Sequence, residues 1–185
     1  MGAKTVEQIR QNRIKYASID RESGLLMIDG QEYGAIEGKL LGFNSHTFDF
    51  KGTPQKKFDV YLFDDGIYQV QVGFYSWVNF RLLNQLINIP DLKNGGVVEI
   101  ATNMQDDNVN VFVRFNGVYL KHKYKYADLK FDGKDKDARV KHRDKIIDKW
   151  YSFLMELKPY DENAHTPPSE NTSEAGAEKD DDLPF

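Results

Sequence analysis

The stretch with the most suggestive chemistry is the acidic segment Asp180-Asp181-Asp182-Leu183-Pro184-Phe185. Three carboxylates precede a proline and then a phenylalanine, which would carry a free carboxylate that is costly to bury. An apolar ring, a carboxylate and neighbouring acids suit docking into an apolar pocket with a basic rim. We therefore expect Asp180 to Phe185 to bind partner proteins.

Side chains that could support catalysis are few. The four histidines, at 46, 122, 142 and 165, lack the spacing of metal ligands. The chain has no cysteine and no glycine-rich phosphate loop, which excludes a Cys nucleophile and a thiolate zinc site. Asp64-Asp65 and Asp106-Asp107 could serve a metal-dependent nuclease, but each falls at a predicted turn, where Asp bonds its own backbone. We predict a protein that is not an enzyme and needs no cofactor.

Length and composition favour one domain with appendages. The chain has 185 residues and is 40% hydrophobic, enough for one sizeable core. No apolar run approaches the ~18 residues of a membrane span, and the N-terminal residues lack a signal-peptide core. We expect no membrane association, and the absence of cysteine is compatible with a reducing cytoplasm.

Charge divides the chain into two parts. Residues 159–185 hold eight acids and one base, Lys179, a formal charge of −7. Residues 1–158 hold 24 bases and 21 acids, a charge of +3. The pattern therefore predicts a mildly basic body with an acidic tail, and the composition of residues 159–185 predicts disorder.

Hydrophobic periodicity predicts a mainly β fold. The expected strands are Tyr33–Phe43, Phe58–Phe63, Tyr68–Phe74, Val97–Thr102, Val109–Phe115 and a very basic sixth strand, Val118–Tyr126. A helix capped by Ser76 and ended by Pro90 separates the third strand from the fourth. This order is that of an OB-fold, a five-stranded Greek-key barrel with its helix between strands three and four. Any five-stranded α+β sheet with the same order remains the alternative.

The remaining segments flank this predicted OB-fold domain, residues 33–133. Residues 1–32 form an N-terminal extension, with a short helix expected over Thr5–Tyr16 and a strand at Leu25–Ile28. Residues 134–158 show helical spacing with many lysines and arginines, which predicts a basic amphipathic helix. Its acids lie at helical spacing from these bases, so its charged face is expected to be solvated.

The acidic segment resembles the C-terminal tip of bacterial single-stranded DNA-binding proteins. In that family an acid run, an apolar residue, Pro and Phe end a disordered tail, and here Leu183 replaces the commoner isoleucine. The body resembles the family in its element order and in the glycine turn Gly95-Gly96 after the helix. The added extension and basic helix look more like a phage-encoded member, and they leave homo-oligomerisation open. The resemblance implies a location in the bacterial or phage-infected cell.

Period-2 alternation assigns a second set of side chains to the outer face of the predicted barrel. These are aromatic and basic residues that would stack on unpaired bases and neutralise phosphates: Lys39, Phe43, Lys57, Tyr61, Phe63, Phe112 and Arg114. The alternative is that some of these rings lie under the C-terminal helix or in a dimer interface.

The segment Lys121-His122-Lys123-Tyr124-Lys125-Tyr126 places three lysines on one face of the predicted sixth strand. We expect Lys121, Lys123 and Lys125 to follow a phosphate backbone as part of a basic hairpin. The alternative is a charged edge strand that prevents aggregation.

These features together predict sequence-independent binding and protection of single-stranded DNA in replication, recombination and repair, with partner enzymes recruited through the acidic tip. One alternative is an OB-fold protein-interaction adaptor, and a less favoured one is a metal-dependent nuclease. RNA binding by a cold-shock-like barrel is a near variant that the sequence leaves open.

Overall fold

The computed structural model describes residues 14–131 and 135–162, which form one mainly β structure. Its strands are β1 (Lys15–Ile19), β2 (Leu26–Ile28), β3 (Gln31–Tyr33), β4 (Ala35–Phe50), β5 (Thr53–Phe63), β6 (Ile67–Gly73), β7 (Val97–Gln105), β8 (Asn108–Phe115) and β9 (Val118–Tyr119). Its α-helices are α1 (Trp77–Leu86) and α2 (Lys136–Leu157). Short 3-10 helices span Leu92–Asn94 and Ala127–Leu129.

The nine strands form a single mixed sheet in the order β3-β2-β1-β6-β5-β4-β7-β8-β9. Neighbouring strands are antiparallel except for β1 and β6, which pair in parallel. Within the described residues the ladder ends at β3 on one side and β9 on the other, so the sheet is open. The expected mainly β class is confirmed, whereas the strand count and the open sheet differ from the predicted five-stranded barrel.

Strand β4 is the element that connects the two halves of the sheet. Its first residues, 35–39, pair with β7, while residues 39–50 pair with β5. A β-bulge between Leu40 and Gly42 shifts the register where the partners change. Bulges add one residue to one strand and bend it, so β4 can leave β7 while it continues along β5.

The hydrophobic core lies between one face of the sheet and the two helices. The inward side chains of β5, Phe58, Val60 and Leu62, are fully buried. Helix α1 begins after Ser76, whose side chain accepts a hydrogen bond from Asn79 N, as the predicted N-cap requires. Gln85 connects α1 to β8, because its amide group hydrogen-bonds to the backbone of that strand.

Helix α2 also packs against the core and contacts α1. The expected helix over residues 134–158 spans Lys136–Leu157, and Asp135 caps its first turn. Ile147, Trp150 and Leu154 are buried against the core. Its lysines at 141, 145 and 149 are exposed on the remaining face.

The ends of the predicted OB-fold region differ from expectation. The predicted sixth strand is wrong beyond its first residues, because β9 ends at Tyr119 and residues 120–126 form a loop. The strand expected at Leu25–Ile28 is present as β2. Most of the helix expected over Thr5–Tyr16 lies outside the described residues, but Tyr16 belongs to β1. Of the described helices, neither is long and apolar enough to cross a membrane.

Candidate nucleic-acid interface

The most prominent surface is the face of β4 and β5 that points away from the core. The pairing register places on it Lys39, His46, Phe48 and Phe50 from β4, and Lys57, Tyr61 and Phe63 from β5. We call these seven residues the β4–β5 surface. Because strand residues advance by about 3.3 Å, the eleven residues of β5 make this surface about 35 Å long.

One end of the surface is a two-stranded arm that extends beyond β6. The pairing of β5 with β6 ends at Lys57, whereas β4 and β5 stay paired as far as Phe50 and Thr53. The arm turns at Lys51 and Gly52, which both have positive φ angles, 52° and 77°. Asp49 Oδ1 accepts a hydrogen bond from Gly52 N at 2.7 Å and fixes this turn.

The arm presents rings and lysines together. Phe48 and Phe50 are 36% and 56% exposed. Lys57 Nζ lies 5.7 Å from the centroid of Phe48, and Lys51 Nζ lies 5.4 Å from that of Phe50. Phe48 and Phe50 are not among the site residues predicted from the sequence. The alternation Phe48-Asp49-Phe50 was the signal that could have found them.

At the opposite end, the structure brings Lys39 and Phe63 together as direct register partners. Phe63 is 47% exposed and Lys39 is exposed, as predicted. The same outward face continues across β7 to Arg114 and Phe112 of β8. Arg114 is exposed, and its Nη1 donates a hydrogen bond to Glu99 Oε1 at 2.7 Å, so part of its charge is already compensated.

Phe43 is not part of this surface. Its predicted exposure is wrong, because the side chain is fully buried and packs against Phe58 at a centroid distance of 5.9 Å. The bulge after Leu40 inserts one residue, and a shift of one residue moves a side chain to the other face of a strand. Gly42 therefore points outward and Phe43 points into the core.

Tyr61 faces outward as predicted, but it is covered. The ring of Tyr160 lies on it, with centroids 3.7 Å apart and an angle of 2° between the planes, and Tyr61 is only 5% exposed. Burial raises the pKa of the Tyr61 hydroxyl, and the nearby Asp59 carboxylate adds to this effect. The expected exposure of Tyr61 is therefore wrong.

The chain segment after α2 carries Tyr160 to this position. Phe43 N donates a hydrogen bond to Lys158 O, and Tyr160 N donates one to Phe43 O, at 3.1 and 2.8 Å. The segment passes so close to β4 that a Cβ atom on Gly42 would lie 2.7 Å from the Tyr160 backbone. Only glycine leaves room for this approach, since real Cβ atoms do not come so near another backbone.

A contact between His46 and the buried Asp59 lies in the middle of the β4–β5 surface. Asp59 Oδ2 is 2.6 Å from His46 Nδ1, and the Asp59 side chain is fully buried while that of His46 is 39% exposed. Among the described residues, Asp59 Oδ1 has no hydrogen-bond partner. The contact holds His46 in one orientation beside its register partner, Lys57.

The three lysines of the predicted basic hairpin lie elsewhere. Lys121, Lys123 and Lys125 are exposed, but they belong to the loop after β9. Asn84 of α1 holds this loop, because its side chain exchanges two hydrogen bonds with the Tyr124 backbone. The expectation of a β-ribbon is therefore wrong, and these lysines border α1 instead of the β4–β5 surface.

The predicted partner-binding residues, Asp180 to Phe185, lie outside the described residues.

Within residues 14–131 and 135–162, no group of three or more metal-ligating side chains converges. Asp65 is one of the aspartates considered above for a metal-dependent nuclease. Its carboxylate accepts hydrogen bonds from Lys15 Nζ and from the Tyr68 hydroxyl. These bonds hold its pKa below the usual value, with the Lys15 bond as the largest cause.

Comparison of the chain with models of protein families, with curated proteins and with solved structures found no match.

Proposed function

We propose that the protein binds single-stranded DNA without sequence preference and protects it during replication, recombination and repair. The observation that carries this proposal is the β4–β5 surface, where the exposed rings of Phe48, Phe50 and Phe63 share one face with Lys39 and Lys57. Single-stranded nucleic acids bind to such surfaces because every base has a π-face and every linkage carries a negative charge.

The composition of the surface favours a nucleic acid over an apolar partner. Its rings are spaced along two strands, with Lys39 beside Phe63 and Lys57 beside Phe48, so bases and phosphates could both be contacted. Base stacking contributes about 1–3 kcal/mol per base, and lysine contacts release counterions from the backbone. Asp59, whose side chain lies between those of Lys57 and Tyr61 on β5, is buried and paired with His46, which limits its repulsion of phosphates.

The strand order supports an OB-type arrangement for the central elements, which we propose as the framework of the site. Strands β4, β5 and β6 precede α1, and β7 and β8 follow it. The long β4 pairs with both β5 and β7, as the first strand of such a fold does. The parallel partner of β6 is β1 from the N-terminal extension.

The acidic tail has two proposed roles. Its formal charge of −7 would compete with DNA for the basic body, and Asp180 to Phe185 would recruit replication or repair enzymes. The position of Tyr160 on Tyr61 supports the first role, because the tail begins on the β4–β5 surface. The protein would act without catalysis, in the cytoplasm of a bacterial or phage-infected cell.

The proposal is tested by titrating fluorescent oligo-dT with the full-length protein across a salt series. We expect affinity to fall steeply with salt, with a slope that becomes shallower in Lys39→Ala and Lys57→Ala variants. The matched control is Lys93→Ala, on the 3-10 helix after α1. Absence of binding at low salt would overturn the proposal and favour the protein-interaction adaptor. An oligo-U series measures the preference for DNA over RNA.

The tail is tested with a protein that ends at Glu162, which retains Tyr160. We expect this truncation to tighten DNA binding and to change the salt dependence. A peptide of residues 174–185 should compete with the acidic tip of a bacterial single-stranded DNA-binding protein for an enzyme that recognises that tip. Unchanged DNA affinity would contradict the competing role, and failure of the peptide would contradict recruitment.

A further inference from the structure

A second aromatic surface lies on the helical side of the molecule, outside the β4–β5 surface. Trp77 begins α1, and its indole ring lies 6.0 Å from that of Tyr126 in the loop after β9. Trp77, Tyr124 and Tyr126 are 36%, 40% and 49% exposed. With Arg81 and the β7–β8 turn, Trp77 and Tyr126 line a cleft of about 420 Å³. Tyr124 borders an adjoining hollow that Trp77 and Tyr126 also line, so the three rings form a cluster rather than isolated surface aromatics.

Arg81 supplies directed polar contacts in this cleft. Its Nη1 donates hydrogen bonds to Val109 O at 2.7 Å and to Asn110 Oδ1 at 3.3 Å, which fix the guanidinium. Among the described residues, both of these side-chain bonds use Nη1, so the donors on Nη2 and Nε can face a ligand. The guanidinium also carries the charge that a strand of phosphates requires.

The charged groups around the cleft distinguish a base from a phosphate. Arg81 lines it from α1 and Asp107 lines it from the β7–β8 turn. Arg143, which does not line it, lies 5.0 Å from the Trp77 ring centroid and is paired with Asp144. His122 borders the adjoining hollow, and its pKa is lowered by burial and then by Arg81, so both effects disfavour its charged form. A phosphate would be repelled near Asp107, whereas an uncharged base on Trp77 would not.

The cleft is continuous with the arm of the β4–β5 surface. Val78 lines the Trp77 cleft and also a hollow beneath the arm. That hollow is bordered by both arm rings and by basic side chains, namely Phe48, Phe50, Lys56, Lys57 and Arg21. A strand that leaves the β4–β5 surface at the arm therefore has an aromatic and basic path around the start of α1.

We propose that the Trp77 cleft is a second contact site, in which a base of the same single strand stacks on Trp77 while Arg81 contacts that base or its phosphodiester. This inference rests on the proposed function and extends it, because it predicts that a strand must be long enough to pass the arm before it reaches Trp77. The order of contact is thus from the β4–β5 surface to the arm and then to the cleft.

The chain offers a direct reporter, because it has only two tryptophans and the other one, Trp150, is 6% exposed. In the full-length Trp150→Phe variant, Trp77 alone fluoresces. Binding of labelled oligo-dT is followed by anisotropy while Trp77 emission is recorded, with oligomers of about 6 and about 20 nucleotides. We expect both lengths to bind and only the longer one to quench Trp77.

A second readout needs no change in tryptophan. Tyr126→Leu in the otherwise natural chain should weaken binding of the longer oligomer about tenfold and leave the shorter one unchanged. Tyr33→Leu, an exposed ring on β3, is the matched control and should change neither.

The outcomes separate this inference from the proposed function. The second site is overturned if both oligomers bind without quenching Trp77, or if Tyr126→Leu weakens binding of both oligomers equally. Either result leaves the proposed function intact. Absence of binding at either length overturns the proposed function and the second site with it. Quenching of Trp77 by the peptide of residues 174–185 but not by oligo-dT would assign the cleft to an acidic peptide and overturn the inference.

Discussion

The rings of Tyr61 and Tyr160 stack face to face, with centroids 3.7 Å apart and planes 2° from parallel. Such a geometry is what a nucleobase would adopt on Tyr61. The Tyr160 ring therefore occupies a stacking position in the centre of the β4–β5 surface. If the protein binds single-stranded DNA as proposed, the strand must either pass beside Tyr160 or displace it.

The first prediction concerns the removal of the Tyr160 ring from Tyr61. Tyr160→Ala should strengthen binding of oligo-dT by up to about tenfold, because Tyr61 becomes available to a base. The same change should lower the free energy of unfolding by about 0.5–1.5 kcal/mol, the usual contribution of an aromatic pair. Tyr160→Phe retains the stack and should change neither quantity by much. Lower stability without tighter binding would show that Tyr61 takes no part in binding.

The second prediction compares two phenylalanines that the sequence treats as equivalent. Phe63→Ala should weaken oligo-dT binding by about 1–3 kcal/mol and leave stability nearly unchanged, since Phe63 is 47% exposed. Phe43→Ala should lower the free energy of unfolding by about 3–5 kcal/mol, since it leaves a cavity in the core. Chemical denaturation and anisotropy measure the two effects, and a stability loss for Phe63→Ala as large as for Phe43→Ala would refute the assignment of faces.

The third prediction concerns the two hydrogen bonds by which Gln85 joins α1 to β8. Gln85 is fully buried, donates a hydrogen bond to Val111 O and accepts one from Val113 N, both at 2.9 Å. Gln85→Leu leaves both backbone groups unsatisfied and should cost about 2–4 kcal/mol in urea denaturation. The control, Asn88→Leu, affects an exposed side chain and should stay within about 0.5 kcal/mol. A loss of stability for Gln85→Leu as small as that for Asn88→Leu would mean that the hydrogen bonds of Gln85 do not stabilise the fold.

The fourth prediction is a pH dependence of stability. The Asp65 carboxyl has a folded pKa below its ordinary 3.8 because it accepts a hydrogen bond from Lys15. Its stabilising contribution is therefore present above pH 3.8 and is lost as the pH falls through the lower folded pKa. Asp65→Asn should be less stable than the natural chain at pH 7, by at most about 1 kcal/mol since the pair is exposed, and the difference should vanish in acid.

Denaturation curves at several pH values measure this difference. Asp64→Asn is the control, because it removes a neighbouring charge and leaves the Lys15 ion pair in place. A difference for Asp65→Asn that is constant with pH would show that the ion pair does not stabilise the fold.

Period-2 alternation was sufficient to locate the central strands, because each strand buries one face, and helical spacing after the Ser76 cap located the first helix. The alternation assigned Lys39 and Phe63 correctly to the outer face for the same reason. It failed at Phe43, because a bulge changes the phase of β4 and leaves no mark in the hydrophobic pattern.

Long-range contacts were the other limit. Nothing in the residues around Tyr61 indicates that Tyr160, almost a hundred positions later, will cover it. The loop that contains Lys121 to Lys125 alternates like a strand, but Asn84 binds its backbone and removes it from the sheet. Local patterns describe which face a residue prefers, and they do not describe which distant segment will satisfy its backbone.

The pairing of Phe43 with residues 158–160 has a consequence for biosynthesis. A ribosome releases the chain from its N-terminus, so β4 and β5 can form their ladder long before the segment that closes over Gly42 has been made. The contact joins positions more than a hundred residues apart and must therefore form late. A nascent chain would expose Tyr61 during this interval, and the finished surface, with its central ring covered, would appear only when translation has passed Tyr160.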